Sequence, residues 1–518
     1  MVPSAQISQK NSPKLVLRAA FFAVGLAHLP LAAVAQSFEL SDVAFNDSVY
    51  LDDTALAGVV APYMNRPLVF EDVAQMMAGV EALYAAEGVV TASVLLQPQE
   101  VRDGGVLRLT LIEAQTEAVE YEARTGFQND LLANVFDAPV NAFPDYNAIT
   151  EQIRFFQIAY GVVPTVGFAA GQAPASTVQS VTIDAQPQAN WRIQLDNYAN
   201  DSEDRTQLTL SREYFDFSGR LDSLSASAAL TAGGVTISGN YALPVGPYGG
   251  KVTTSGSLAQ SEVVAGAFAA SQLETRSLEF GAAYAQPFWV SGDTLYQFQL
   301  GLNASNTNST IAGVDLQDNT LVDLEARLTF ARSYARSALS ADAGLRFGTA
   351  TSAEESETDG EFAMAFANAA YERAVTESYA FKVTGRAQLA PDQNLPSGQR
   401  FSAGGLGSLV GYPDDVRTGD SGLTGRVQLT CVSPCLGDRF ATYWPEIYVF
   451  ADAGVIDTFR GDDASVDEEP VLYSVGVGGS MQVRGAIISA ALGVPLAETT
   501  GFEDTGTPRF YAGVSYEF

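Results

Sequence analysis

Hydrophobic spacing changes once along this chain, near residue 187. Upstream, helical and strand periods alternate. Val73, Met76, Met77, Val80, Leu83 and Tyr84 recur at helical spacing on one face, which predicts an amphipathic helix over 70–87 that Gly88 ends. A shorter helical run covers 51–63 and a strand pattern covers 38–45. Strand patterns at 90–96 and 106–112 flank the turn residues Asp103-Gly104-Gly105. The order strand, helix, helix, strand, strand then returns at 119–124, 129–136, 146–160, 162–169 and 177–183. Ile149, Ile153, Phe156 and Tyr160 form the stripe of the longer helix in this second unit. Two units with one order at a period of about 75 residues suggest duplication of a small α+β module. The Met and aromatic stripes are read as core.

From residue 187 onward the pattern is strand and turn. Sixteen strand candidates start near Gln188, Arg205, Leu221, Gly234, Gly249, Leu273, Asp293, Leu321, Ser337, Glu361, Ser378, Gly422, Glu446, Leu472, Gly485 and Pro508. Their number is even, as bacterial outer-membrane barrels require. In the last, Phe510, Ala512, Val514, Tyr516 and Phe518 face one way and Tyr511, Gly513, Ser515 and Glu517 the other. One face suits lipid and the other a lumen. Hydrocarbon tolerates no open sheet edge, so a spanning sheet has to close. The predicted fold is thus two β-α-α-β-β modules followed by an all-β, 16-stranded antiparallel transmembrane barrel. If the first barrel strand rises outward, connections after odd strands are long and external. Those at 200–204, 352–360, 391–421 and 458–470 fit this, and the even connections Ser291-Gly292 and Arg484-Gly485 are tight. One even connection, 431–445, is longer than the rule allows.

The N-terminus refines the boundaries. Lys10, Lys14 and Arg18 precede an apolar stretch over 19–31, and Ala33-Val34-Ala35 supplies a small-x-small cleavage site. The stretch is short for a membrane span, so it is read as a signal peptide. The expected division is 1–35 signal, 36–119 first module, 120–186 second module and 187–518 barrel. Cleavage at that site removes His28, the one histidine of the chain, and with it Ser–His catalysis and His-ligated metal sites. No later stretch is apolar for long enough to form a spanning helix.

Composition adds exclusions. The formal charge is −32, from 28 basic and 60 acidic residues, so a phosphate backbone would be repelled and nucleic acid is excluded as a partner. Charged residues make up 17% against 47% hydrophobic, with 46 Gly, 29 Phe and 21 Tyr, which suits a large β-protein with one non-aqueous surface. Cys431 and Cys435, in an oxidising compartment, point to a local disulfide, with free thiols as the alternative. The segment 246–251 lacks the Gly-Lys-Ser/Thr ending of a phosphate loop, and Arg460-Gly461-Asp462 is read as chance in an acidic loop. No cofactor, metal or catalytic residue is expected.

Several stretches resemble the two-partner secretion transporters, the haemolysin secretion/activation family. Leu83-Tyr84 with Gly88, Ala92 to Gln99, and Asp103 to Glu113 resemble its polypeptide-transport-associated (POTRA) domains. Asp196-Asn197-Tyr198 resembles its barrel start. In that family the long loop after barrel strand eleven folds into the lumen with a Val-Arg-Gly-Tyr/Phe tip. Here 401–412 matches at Gly404, Gly405, Ser408, Gly411 and Tyr412, while Val410 holds the arginine position. The family's Phe-x-Asp-x-Gly motif on strand thirteen is present as Phe450, Asp452 and Gly454. The resemblance implies that the loop arginine pairs with that aspartate. A buried charge needs a partner, and Arg417 or Arg426 is the expected substitute. The alternative for Asp452 is an ordinary lumen-facing acid. Phe510, Tyr516 and Phe518 are the expected C-terminal barrel signal. Members of that family often carry a plug helix before the first POTRA domain; here the first strand pattern begins almost directly after the expected cleavage site, which leaves open closure of the lumen by the loop alone.

The implied partner is a secreted exoprotein with an N-terminal secretion domain, docked by strand addition to a POTRA sheet edge. Outer-membrane lipid and lipopolysaccharide would surround the barrel, in a Gram-negative outer membrane, and the barrel-assembly machinery would insert it. The rival functions are an assembly factor of the same superfamily, a passive porin and an outer-membrane enzyme.

Overall fold

The computed structural model describes residues 37–266, 268–352, 359–432, 435, 443, 445–459, 471–499 and 505–518. The expected signal peptide and the 460–462 tripeptide lie outside the described residues. The chain divides into two compact units, 1–112 and 113–518.

In the first unit, β1 (Leu40–Phe45), α1 (Asp53–Val60), α2 (Phe70–Ala86), β2 (Ala92–Leu96) and β3 (Gly105–Glu113) follow in order. Their sheet runs β1-β3-β2, with β1 parallel to β3. Asp52 caps α1 by accepting from the Ala55 amide at 2.6 Å, and α1 continues into a short 3-10 turn at Ala61–Tyr63. The α2 stripe packs as its spacing predicts, with Val73, Met76, Val80 and Tyr84 buried and Met77 and Leu83 half-buried. Leu107, Leu109 and Leu111 of β3 complete that core.

The second module repeats the plan with β4 (Gln115–Glu122), α3 (Gly126–Val135), α4 (Tyr146–Tyr160), β5 (Thr165–Ala170) and β6 (Ser176–Thr182), in sheet order β4-β6-β5. Only Ala114 separates β3 from β4, so the second module's first strand begins inside the stretch that sequence patterning gave to the first. The long extended run over 105–122 hides that junction. Leu132, Phe136, Phe156, Tyr160 and Val181 form the second core.

Sixteen strands then close into one antiparallel barrel. They are β7 (Gln188–Asp196), β8 (Gln207–Phe215), β9 (Ser223–Leu230), β10 (Gly234–Val245), β11 (Gly250–Glu262), β12 (Leu273–Ser291), β13 (Thr294–Ile311), β14 (Val314–Ser333), β15 (Ser337–Ser352), β16 (Gly360–Ala374) and β17 (Tyr379–Leu389). A short hairpin follows inside the next connection, β18 (Phe401–Ala403) with β19 (Arg417–Gly419). The barrel resumes with β20 (Ser421–Val432), β21 (Glu446–Asp457), β22 (Leu472–Val483), β23 (Ala486–Pro495) and β24 (Arg509–Glu517).

Closure is made by β24 against β7, from Gly513 opposite Asp196 to Glu517 opposite Arg192. The Asp196-Asn197-Tyr198 segment extends this seam. The Asn197 side chain accepts from the Ala512 amide at 2.7 Å and donates to the Phe510 carbonyl at 3.0 Å, continuing the ladder past the last strand pair. At the other end, Phe518 and Trp191 exchange both backbone bonds. Alternation assigns the faces: Phe510, Val514 and Tyr516 of β24 are exposed outward, and Tyr511 is buried inward. No helix among the described residues is long and apolar enough to cross a membrane, and the strands supply the spanning surface.

Not every external connection is long. The one between β13 and β14 is the tight pair Ala312-Gly313, both with positive φ. Here the strands lengthen instead: β14 begins at Val314, ahead of the apolar Leu321 at which hydrophobicity places its start. Most of the intervening residues, such as Asp315, Gln317 and Asp318, are polar yet paired with β13, and a bulge at Leu316 interrupts the register once. They form sheet where the strand needs no lipid-facing pattern.

Candidate functional site: the lumen loop and its seat

The connection between β17 and β20 covers 390–420 and turns back onto the inner wall. Its root is fixed first. Leu395 is buried with Leu321, Phe362, Met364 and Ala390. Asp420 accepts from the Leu395 amide at 2.7 Å and from the Phe459 amide at 2.9 Å. Arg346 of β15 donates to the Gln399 side chain at 2.6 Å while also pairing with Glu325 of β14. Phe401 then covers Gly422, where any Cβ would strike its ring.

The tip lies beyond the β18–β19 hairpin. Gly404 and Gly405 have φ of +124° and +74°, and at both the space for a Cβ is already filled, by the Pro413 carbonyl and the Asp414 carboxylate. These two glycines let the chain reverse. Ser408 ties the reversal by donating to the Gly404 carbonyl and accepting from its amide. Leu409, Val410 and Tyr412 are at most 1% exposed.

Five consecutive strands form the seat. Asp452 of β21 accepts from the Val410 amide at 2.9 Å and from the Ser474 hydroxyl of β22 at 3.1 Å. Arg426 of β20 pairs with Asp452, Nε to Oδ1 at 2.6 Å and Nη2 to Oδ2 at 3.2 Å. The Gly411 amide donates to Ser474 Oγ at 3.3 Å. Gly493 of β23 lies against the Val410–Gly411 backbone, and neither Gly411 nor Gly493 has room for a Cβ. The Tyr412 hydroxyl donates to the Ala497 carbonyl at 2.8 Å, and the Tyr511 hydroxyl of β24 reaches the Tyr412 carbonyl at 3.4 Å.

The Phe-x-Asp-x-Gly spacing now has a physical reading. Its three residues share the inward face of β21. Phe450 fills the wall over Gly476, Asp452 holds the tip, and Gly454 leaves the space that Leu409 enters. Arg417 lies on β19 in register with Ala403. Cys431 and Cys435 are joined as a disulfide with Cα atoms 6.0 Å apart, at the end of β20 remote from the tip.

At one rim, the second module meets three connections that follow even-numbered barrel strands. Asp216, fully buried, accepts from Arg124 and from the Gln128 side chain, the latter at 3.1 Å, and also from the Leu221 amide at 2.8 Å. Thr125 donates to the Gly219 carbonyl at 2.8 Å. The Tyr160 hydroxyl donates to the Gly246 carbonyl at 3.2 Å and accepts from the Gly249 amide at 3.1 Å, and burial pushes its pKa up. Glu151 accepts from the Gly292 amide at 2.6 Å. The rim of the even connections is therefore the rim that carries this module. Sequence reasoning missed every residue of this contact except Tyr160, which it read as core.

Residues 178–481 match the family model of the haemolysin secretion/activation protein ShlB/FhaC/HecB, and residues 38–114 match that of the ShlB-type POTRA domain. The chain belongs to the haemolysin secretion/activation family. It is an outer-membrane β-barrel with periplasmic POTRA modules. Over 218 residues it is 24% identical to the outer membrane transporter CdiB of Dickeya dadantii (strain 3937). That match covers 41% of this chain and 38% of the curated relative, less than half of either. Among solved structures, CdiB from Escherichia coli aligns with a TM-score of 0.63 at 18% identity, over 95% of this chain and 93% of that one. CdiB from Acinetobacter baumannii gives 0.60 at 12% identity, over 95% and 93%. BamA from Haemophilus ducreyi lacking POTRA domains 1-3 gives 0.62 at 12% identity, over 93% and 100%. At these identities the likeness is one of fold.

Proposed function

We propose that this chain exports a dedicated partner polypeptide across the outer membrane. The observation that carries the reading is the loop tip. It occupies the inner wall of a closed barrel through hydrogen bonds and apolar burial, with no covalent tie, so the path it obstructs can be opened. An unfolded exoprotein arrives in the periplasm, and its N-terminal secretion domain docks on the POTRA modules by adding a strand to a sheet edge. It threads the barrel as the tip moves aside and folds outside, and that folding supplies direction. The process is binding and transport without bond chemistry, and it calls for no cofactor. Lipid and lipopolysaccharide surround the apolar band, and the barrel-assembly machinery inserts the protein. The second module's docking on the rim of the even connections favours export over a plain porin, because a passive pore gives that module no task.

Deletion of the gene, with mass spectrometry of secreted and outer-membrane proteins, tests the reading. Loss of one large polypeptide from the medium, with other barrels unchanged, is the expected result. A broad fall in outer-membrane barrels would identify an assembly factor, and no change in either fraction would favour the porin.

A further inference from the structure

The part of the loop tip that is seated on the wall carries no charge of its own. Residues 405–412 contain no acidic or basic side chain. Yet the tip is seated on a bidentate ion pair, and both members belong to the wall. Arg426 and Asp452 stand directly opposite each other in the β20–β21 ladder, so their pairing is set by sheet register and does not depend on the loop. The pair is shared with the tip through its outer valences. Arg426 Nη2 donates to the Ser408 carbonyl at 3.0 Å and to the Leu406 carbonyl at 3.3 Å. Asp452 Oδ2 accepts from the Val410 amide. The Arg426 guanidinium also lies 5.0 Å over the Phe450 ring, which fixes its plane.

We propose that Arg426 is a positioning residue for the loop: it grips two loop carbonyls while staying paired with Asp452, and the tip is released as a neutral segment that leaves the ion pair intact on the wall. The inference rests on the export reading and deepens it. A guanidinium suits this task because its fork presents several N–H donors in one plane: Nε meets Asp452 Oδ1, and the two Nη2 hydrogens are shared among Asp452 Oδ2 and the two carbonyls. An ammonium is a point charge, able to neutralise Asp452 without holding the same three acceptors. When the tip leaves, the groups uncovered on the wall are an already paired arginine and aspartate, so no lone charge is exposed in the lumen.

The test is the opening frequency of the purified full-length protein in planar bilayers, compared for wild type, Arg426→Lys, Arg426→Ala and a barrel in which residues 404–416 are replaced by a short glycine-serine turn. Heat-modifiable gel mobility confirms that each variant holds a closed barrel. Loss of charge-assisted bonds to the tip raises opening by about tenfold in both Arg426→Lys and Arg426→Ala. A lysine variant as closed as wild type beside a leaky alanine variant would reduce Arg426 to a counter-ion and overturn the proposal. Two closed variants would overturn it as well. In the tip-less barrel, a thermal-stability cycle of Arg426→Ala with Asp452→Asn still shows coupling, and coupling that vanished with the tip would refute a wall-borne pair. A tip-less barrel that does not conduct would sink the channel reading itself, whatever the role of Arg426.

Discussion

Position 411 shows how tightly single residues control the tip. A Cβ there would stand 2.5 Å from the Pro495 backbone nitrogen and 2.7 Å from the Val494 carbonyl carbon, atoms that cannot swing away. Gly411→Ala therefore lifts the tip off β23. Overpacking of this kind costs ~1–3 kcal/mol, so channel opening rises by about fivefold to a hundredfold in planar bilayers while the barrel's gel mobility is unchanged. Conductance equal to wild type would contradict the seating described. This glycine was legible, because it belongs to a motif with Gly404, Gly405 and Tyr412. Val410 was legible as a departure. Its substitute was legible only as one of two, Arg417 or Arg426. The register of β20 on β21, which sets Arg426 opposite Asp452, decides between them, and that register is not written in the spacing of the two residues. Ser474 and Gly493 gave no signal at all, since a serine or glycine in a barrel strand is commonplace.

At the scale of elements, alternation placed the strands well because one face of each meets lipid. It failed where that constraint lapses. The start of β14 breaks the alternation, with Val314 and the bulged Leu316 followed by the polar run Gln317 to Thr320, and β3 runs into β4 with one residue between them. Contact between the second POTRA module and the barrel was invisible for another reason: Arg124, Thr125 and Gln128 meet Asp216 and Gly219 across about ninety residues of sequence, with no periodic pattern. Asp216 is the hub. Removing its carboxylate leaves the donors of Arg124, Gln128 and Leu221 without their acceptor, at a cost of ~1–3 kcal/mol, discounted because Arg124 is about a third exposed. Asp216→Ala is expected to loosen the module on the rim. Spin labels placed on α4 and on the β14–β15 connection would report a broader distance distribution than in wild type. An unchanged width would show that Tyr160 and Glu151 suffice to hold the module.

At the scale of the whole barrel, the loop is held at two places with different chemistry. Its root is anchored on β14–β16 by Leu395 and the Arg346–Gln399 bond, and Asp420 ties Leu395 to the Phe459 amide beyond β21. Its tip is seated on β20–β24 by backbone groups and small residues. Export through the lumen requires the tip to leave while the root stays. A cysteine pair at Leu409 and Gly454, bridged by oxidation or by a short reducible bis-thiol reagent, tests this directly, because the Leu409 side chain enters the space that Gly454 leaves. The variant is made in a chain with Cys431 and Cys435 replaced, and each single cysteine serves as a control. The readout is the polypeptide that disappears from the medium when the gene is deleted. With the pair bridged, that polypeptide is predicted to accumulate in the periplasm, and reduction restores its release. Undiminished secretion through a quantitatively cross-linked barrel would contradict the account.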